Sequence, residues 1–331
     1  MKQIILTGVK PTGTPHIGNY LGAIKQAIDL SKNDEYSTYY FIADYHALNS
    51  LKTREEMRRY TKEVACTWLA CGLDPEKVVF YRQSEIHETT ELCWILMNVT
   101  PKGLMDRAHA YKACVQANVE NGKDADDGVN MGLYNYPILM AADILLFNTK
   151  FVPVGLDQKQ HCEMARDIAK YFNKKYGYTF VVPQEKIQEK TATLLGLDGR
   201  KMSKSYGNQI PLFCSEAELK KLIMSIKTDS TLPTEPKSKT STVFEYIKVF
   251  ANPEKLAEMD RRFDEGLSWA EAKQELFNIM NEVISPMREK YNYYMEHYGE
   301  VEEILKKGEH KAREIARETL ERARRAVGVI E

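Results

Sequence analysis

The sequence predicts an α/β protein: a parallel sheet with crossover helices that accepts a helical insertion, followed by an all-α C-terminal domain. Three observations carry this. Short β-branched or aromatic runs alternate with helical periodicity up to Tyr81, the pattern of a parallel sheet with crossovers. The strand pattern returns at Phe151-Val152-Pro153-Val154 after a long helical stretch. Beyond residue 212 the periodicity is helical to the end, apart from a breaker at Thr231–Ser241 rich in Pro, Ser and Thr. A length of 331 residues, 43% of them hydrophobic, supplies a large core, and it matches two domains at roughly 100–200 residues each.

Taken in order, Ile4-Ile5-Leu6-Thr7 is a buried strand that stops at Gly8 and Pro11. Leu21, Ile24 and Ile28 recur at helical spacing, with Asn19 as the expected N-cap. Tyr39-Tyr40-Phe41-Ile42-Ala43 is a second strand running into Asp44-Tyr45-His46. Thr53-Arg54-Glu55-Glu56 fits a capping box and opens a helix to about Cys71. Val78-Val79-Phe80-Tyr81 is a third strand. Residues 85–145 read as mostly helical, and the polar, acidic middle at Gln116–Asn130 is expected to be a mobile loop. After Phe151–Val154 a helix is expected from about Gln158 to Phe172, then a loop region over 191–212. Parallel sheets bind ligands at the carboxyl ends of their strands. The loops at 8–19, 44–46 and 82–84 are therefore where chemistry is expected.

Lys plus Arg (46) nearly cancel Asp plus Glu (47). This excludes nucleic-acid binding through bulk positive charge and leaves room for a local basic face. The last helix, expected from about 300 to 327, carries Lys306, Lys307, Lys311, Arg313, Arg317, Arg322, Arg324 and Arg325, interleaved with Glu309, Glu314, Glu318 and Glu321. It reads either as such a face or as a solvated helix. The six cysteines form no C-x-x-C pair, which argues against zinc or iron–sulfur sites and for reduced thiols. The N-terminal apolar run is too short for a signal peptide. The longest apolar stretch, Tyr136–Phe147, is broken by Asp143 and falls short of the ~20 residues that span a bilayer. A soluble, cytoplasmic protein with no membrane association is expected.

Two stretches carry phosphate chemistry. Lys10-Pro11-Thr12-Gly13-Thr14-Pro15-His16-Ile17-Gly18-Asn19 is a loop stiffened by two prolines. Its glycines admit a ligand close to backbone, beside a helix N-terminus that attracts anions. Lys201-Met202-Ser203-Lys204-Ser205 places two lysines and two hydroxyls in five residues, a compact clamp whose lysines follow migrating charge. A third stretch, Tyr136-Pro137-Ile138-Leu139-Met140-Ala141-Ala142-Asp143, offers one carboxylate on an apolar helix. An apolar slot with one acceptor suits a large aromatic ring with a single N–H donor.

Together the first two stretches resemble the signatures of class I aminoacyl-tRNA synthetases, which read roughly HIGH and KMSKS. Asn19 stands at the fourth position of the first, as in the tryptophanyl branch. The third stretch, with Val152-Pro153-Val154-Gly155-Leu156-Asp157-Gln158 after it, resembles that branch closely; tyrosyl relatives usually carry Gln near Met140. The resemblance implies a Rossmann-like catalytic domain over 1–205, with the helical insertion at about 85–145, and an α-helical anticodon-binding domain over 206–331. It implies activation of L-tryptophan with ATP, transfer to tRNA(Trp), Mg²⁺ arriving with ATP, no dedicated metal site, no DNA partner and a homodimer. His16, Lys201 and Lys204 would act on the transition state. ATP would meet Lys10, Pro11, Thr12, Gly18, Asn19, Gly155, Leu156, Asp157, Thr193 and Lys201, Met202, Ser203, Lys204, Ser205. Tryptophan would meet Asp143, Met140, Tyr136 and Gln158. His46 would line that pocket or be a satisfied core histidine. Lys10, Leu156 and Ala110 depart from the residues usual in relatives (Gln, Glu and Gln), with Lys112 and His109 near Ala110. A tyrosyl-tRNA synthetase is the nearest alternative. A small-molecule nucleotidyltransferase shares the His-x-Gly loop without explaining the helical half, and a non-catalytic RNA-binding paralogue does not explain the intact signatures.

Overall fold

The structure, a computed structural model, describes residues 2–155, 159–187 and 194–331, apart from the side chains of Ile187 and Lys204. Five strands, β1 (Gln3–Val9), β2 (Tyr36–Ile42), β3 (Val78–Arg82), β4 (Phe151–Val154) and β5 (Gln184–Ile187), form one parallel sheet in the order β3-β2-β1-β4-β5. The chain builds outward from β1 to β3, then returns to the other side of β1 with β4. That reversal is a switch point, where open α/β sheets bind ligands. The first four strands lie where the apolar runs predict them. β5 was not expected. It is a polar edge strand, Gln-Glu-Lys-Ile, paired with β4, and it shows no apolar run to find.

After β1 come α1 (Ile17–Asn19), a π turn (Tyr20–Ile24) and α2 (Lys25–Ser31). The N-cap is His16, not Asn19. Ile17 N–H donates to the Ile210 carbonyl at 3.0 Å, and this distant partner starts the helix three residues early. Asn19 caps backwards instead, its Oδ1 accepting from His16 N–H at 3.0 Å. The Asp44-Tyr45-His46 loop is a single helical turn, α3 (Asp44–Ala47). Thr53 opens α4 (Arg54–Ala70) through the expected capping box.

The insertion holds α5 (Glu88–Met97), α6 (Lys102–Met105), α7 (His109–Glu120) and α8 (Met131–Leu146). Its acidic middle is not the free loop expected. Gln116–Glu120 is helical, Asn118 Nδ2 donates to the carbonyls of Ala125 and Asp127 at 3.0 and 2.8 Å, and Tyr111 Oη donates to Asp126 at 2.8 Å.

The remaining helices are α9 (Lys159–Tyr176), α10 (Glu216–Met224), α11 (Thr242–Phe250), α12 (Pro253–Glu265), α13 (Trp269–Glu296) and α14 (Tyr298–Val327). One apolar core joins α1, α2 and α4 to Met202, Ile210, Leu212 and helices α10–α13. A second joins the sheet, α5, α8 and α9 to Ala312, Ala316, Leu320 and Ala323 of α14. The last helix thus returns to the sheet. A Cβ on Gly308 would overlap the Phe80 carbonyl, so only glycine lets α14 lie this close to β3. Among the described residues no helix is long and apolar enough to cross a membrane.

Candidate active site

The two signature loops meet at the carboxyl end of β1. Leu212 N–H donates to the Pro15 carbonyl at 3.0 Å, and His16 bridges Pro211 in antiparallel register. A Cβ on Gly18 would stand 2.9 Å from the His16 ring and 3.3 Å from Met202 Sδ. Glycine is therefore what lets the first loop close on the second. Residues 194–202 form a small hairpin, with Gly196 N–H on the Arg200 carbonyl (2.6 Å) and Met202 N–H on the Leu194 carbonyl (3.0 Å). Lys201 leaves it exposed, Met202 turns inward, and Ser203 and Ser205 share a hydroxyl hydrogen bond of 2.8 Å. Lys204 opens a 3-10 turn, Lys204–Tyr206. Lys10 is exposed at the rim of the first loop by area, yet enough atoms crowd its ammonium for burial to lower its pKa. Pro11 is buried beside it, Thr12 N–H donates to the Lys10 carbonyl at 2.9 Å, and Gly155 is exposed at the end of β4.

The third stretch becomes α8, and Asp143 on it is only 2% exposed. Its carboxylate is already engaged. Gln83 Nε2 donates to Oδ1 at 2.9 Å and to Oδ2 at 2.8 Å, and His46 Nε2 stands 2.9 Å from Oδ2. A carboxylate has about four acceptor positions, so Oδ1, with one of these contacts against two on Oδ2, keeps room for another donor. Burial raises the Asp143 pKa above 3.8, while the contacts to His46 and Gln83 pull it back. His46 is thus a satisfied buried histidine, and its ring meets Tyr136 edge-on at 6.3 Å. Tyr136 Oη in turn lies 2.6 Å from His161 Nε2. Met140 packs half-buried on the second core.

Gln83 was missed. It is 1% exposed, and its only sequence signal is its place in the 82–84 loop at the end of β3. Asp44 fixes that loop. Its carboxylate accepts from Ser84 N–H at 3.0 Å and Ser84 Oγ at 2.5 Å, and burial raises its pKa against those contacts. The turn carrying His46 is therefore locked to the turn carrying Gln83. Of the other expected residues, Leu156, Asp157, Gln158 and Thr193 lie outside the described residues, as does the side chain of Lys204.

The family described as tRNA synthetases class I (W and Y) matches residues 1–285. A tryptophan–tRNA ligase of Neisseria meningitidis is 51% identical over 330 residues, covering 99% of this chain and 98% of its own. One of Pseudomonas aeruginosa is also 51% identical, over 99% of this chain and 74% of its own. The chain belongs to the tryptophan–tRNA ligase family.

A structure of a family member, the Campylobacter jejuni tryptophanyl-tRNA synthetase complexed with ADP and tryptophan, is 41% identical. It superposes with a TM-score of 0.89 over 98% of this chain and all of its own. Membership fixes the Rossmann-like fold and the reaction: this is a tRNA ligase, and the tyrosyl alternative falls away. Among the described residues no three His, Cys, Asp or Glu side chains stand together as a metal cluster. The loops instead offer lysines, hydroxyls and backbone N–H groups, a donor set for anions.

Proposed function

We propose that the loops at 10–19 and 201–205 hold ATP and that the Asp143 pocket holds L-tryptophan, in the tryptophan–tRNA ligase reaction of this family. An oxygen of the tryptophan carboxylate attacks the α-phosphorus in line. The bond from that phosphorus to the bridging oxygen breaks, and pyrophosphate leaves. A terminal ribose hydroxyl of tRNA(Trp) then attacks the acyl carbon and AMP leaves. No covalent bond to the protein is needed, so positioning and charge stabilisation are the protein's work. His16, Lys201 and Lys204 meet the charge that develops on the phosphates. The described loop residues do not fit a protein-held Mg²⁺ cage; the ion enters with ATP, on phosphates and water, and no step is derived through it.

The observation that carries this reading is the buried Asp143 carboxylate with an acceptor position left on Oδ1. An indole N–H would fill that remaining position beside Gln83, and phenylalanine has no donor to offer it. The α-helical segment 206–331 would read the anticodon, through basic residues not used in packing. The insertion and the α3 turn expose Trp94 (68%), Met131, Val119 and Leu48, apolar surface that a second copy in a homodimer would cover. Action in the cytoplasm follows from the reaction. ATP–pyrophosphate exchange driven by each amino acid tests the assignment. Exchange with tryptophan is expected; exchange with tyrosine in its place overturns it.

A further inference from the structure

Asn208 lies outside both signatures, yet it is 3% exposed and its whole amide is used. Oδ1 accepts from Ser203 N–H at 2.9 Å. Nδ2 donates to the Lys201 carbonyl at 3.2 Å and to Asp198 Oδ1 at 2.7 Å. Its own carbonyl accepts from Leu197 N–H at 2.9 Å. Asp198 is closed in turn on Arg200, whose Nε donates at 2.7 Å and whose backbone N–H donates at 3.1 Å. The Asn208 donor first, and Arg200 after it, hold the Asp198 carboxyl down at about 2, so the acceptor is an anion at neutral pH.

This pattern calls for an amide. One side chain must accept from an N–H and donate twice, to a carbonyl and to a carboxylate, and among side chains of this size only asparagine does both. The grip also falls at a useful place. It fixes the backbone on either side of Met202, and Met202 is the residue that meets Gly18 of the other loop. Side chains that act on a transition state need such support from their neighbours.

We propose that Asn208 is the positioning residue of the Lys201–Ser205 loop, its buried amide setting where that loop's lysines stand relative to His16. The proposal rests on reading that loop as the ATP loop. Asn208 touches no substrate; it acts through the backbone of Lys201 and Ser203.

The test is steady-state ATP–pyrophosphate exchange on Asn208→Ala, Asn208→Asp, the double variant Asp198→Asn/Asn208→Asp, and Lys201→Ala. Asn208→Ala and Asn208→Asp are expected to lower kcat about tenfold or more and raise KM for ATP, leaving KM for tryptophan within about twofold, the signature of a lost transition-state arrangement. Asn208→Asp opposes two carboxylates. In the double variant the amide at 198 can donate to the carboxylate at 208, and kcat is expected to recover about fivefold relative to Asn208→Asp. An unchanged kcat and ATP KM in folded Asn208→Ala overturns the proposal. So does a tryptophan KM that moves in step with that of ATP, or an unchanged kcat and ATP KM in Asn208→Asp. Should Asn208→Ala fail to fold, the two Asp-bearing variants decide. Lys201→Ala separates the layers: if it is silent, the ATP-loop reading falls and the proposal with it. If it is inactive while the Asn208 variants match the wild type, only the positioning role falls.

Discussion

Replacing Asp143 by Ala perturbs two quantities that the structure lets one separate. The carboxylate accepts from Gln83 and His46, both buried. Removing it strands two donors, each costing about 1–3 kcal/mol, so stability should fall by about 2–6 kcal/mol. That is a large part of a typical 5–15 kcal/mol, and the variant should unfold at clearly lower urea. On the proposed reading the substrate loses a separate contact. A hydrogen bond to a charged acceptor contributes about 1.5–3 kcal/mol, which at 1.36 kcal/mol per decade is about a 10- to 150-fold loss in kcat/KM for tryptophan. Phenylalanine never made that bond and so loses nothing with it, and the tryptophan-to-phenylalanine ratio should fall about as far. Asp143→Asn keeps the volume and one acceptor oxygen; it should lose less on both counts. The assay is pyrophosphate exchange with both amino acids, beside urea unfolding of the same preparations. A folded Asp143→Ala protein whose selectivity equals that of the wild type refutes the role.

Gly18→Ala forces a Cβ to within 2.9 Å of the His16 ring, so kcat for activation should drop about tenfold or more while tryptophan binding, followed by calorimetry, stays unchanged; an equal loss in both would show a general collapse. Gly308→Ala adds a good helix former to α14 and on propensity alone should stabilise by about 1 kcal/mol. The Phe80 backbone leaves the methyl no room, so a net loss of about 1–3 kcal/mol is expected, and a raised Tm would contradict the packing. Burial raises the Asp143 pKa above 3.8, with the sign opposite for folding and for binding. The fold prefers the protonated acid, so this group's stabilising contribution is present below 3.8 and lost as pH rises through its folded value. Binding needs the carboxylate, so tryptophan affinity measured from about pH 7 down to about pH 4 should weaken before an exposed aspartate titrates. Asp143→Asn should remove that pH dependence, and its persistence in the variant would assign it to another group.

What could be read from the chain, and what could not, divides by the range of the interactions. β1 to β4 are apolar or β-branched in themselves, so their burial is written locally. β5 is held only by pairing with β4, and nothing in Gln-Glu-Lys-Ile announces that. The helix after β1 is legible in the sequence, but its start is not, because the bond to Ile210 that begins it at Ile17 lies far along the chain. The site behaves likewise. His16, Lys201 and Asp143 sit in motifs whose composition already implies chemistry. Gln83 and Asn208 are single polar residues in loops. Their importance comes from what the fold brings to them: Asp143 sixty residues on in one case, a hairpin turned back on itself in the other.

The charges of α14 show the same division with more consequence. As a count, its basic residues are compatible with an RNA face or with a solvated helix. The structure separates them. Arg313 and Arg317 converge on Glu88, and Arg324 meets Glu91, all across to α5. Arg322 reaches Asn148 and Glu318, Arg325 pairs with Glu321, and Lys306 with Glu303. At the other end Glu302 takes both guanidinium arms of Arg82, at 2.7 and 3.0 Å. Four of these pairs, Arg82–Glu302, Arg313–Glu88, Arg317–Glu88 and Arg324–Glu91, run from the last helix to β3 and α5, while those of Arg322 with Glu318, Arg325 with Glu321 and Lys306 with Glu303 lie within it. Arg313, Arg317 and Arg324 would have to give up those pairs with α5 to contact RNA. The fork on Arg82 also sits one residue from Gln83, whose amide holds Asp143. A displacement of α14 that pulled on Arg82 would therefore act one residue from the amide that holds Asp143, through a contact between residues 220 apart in sequence.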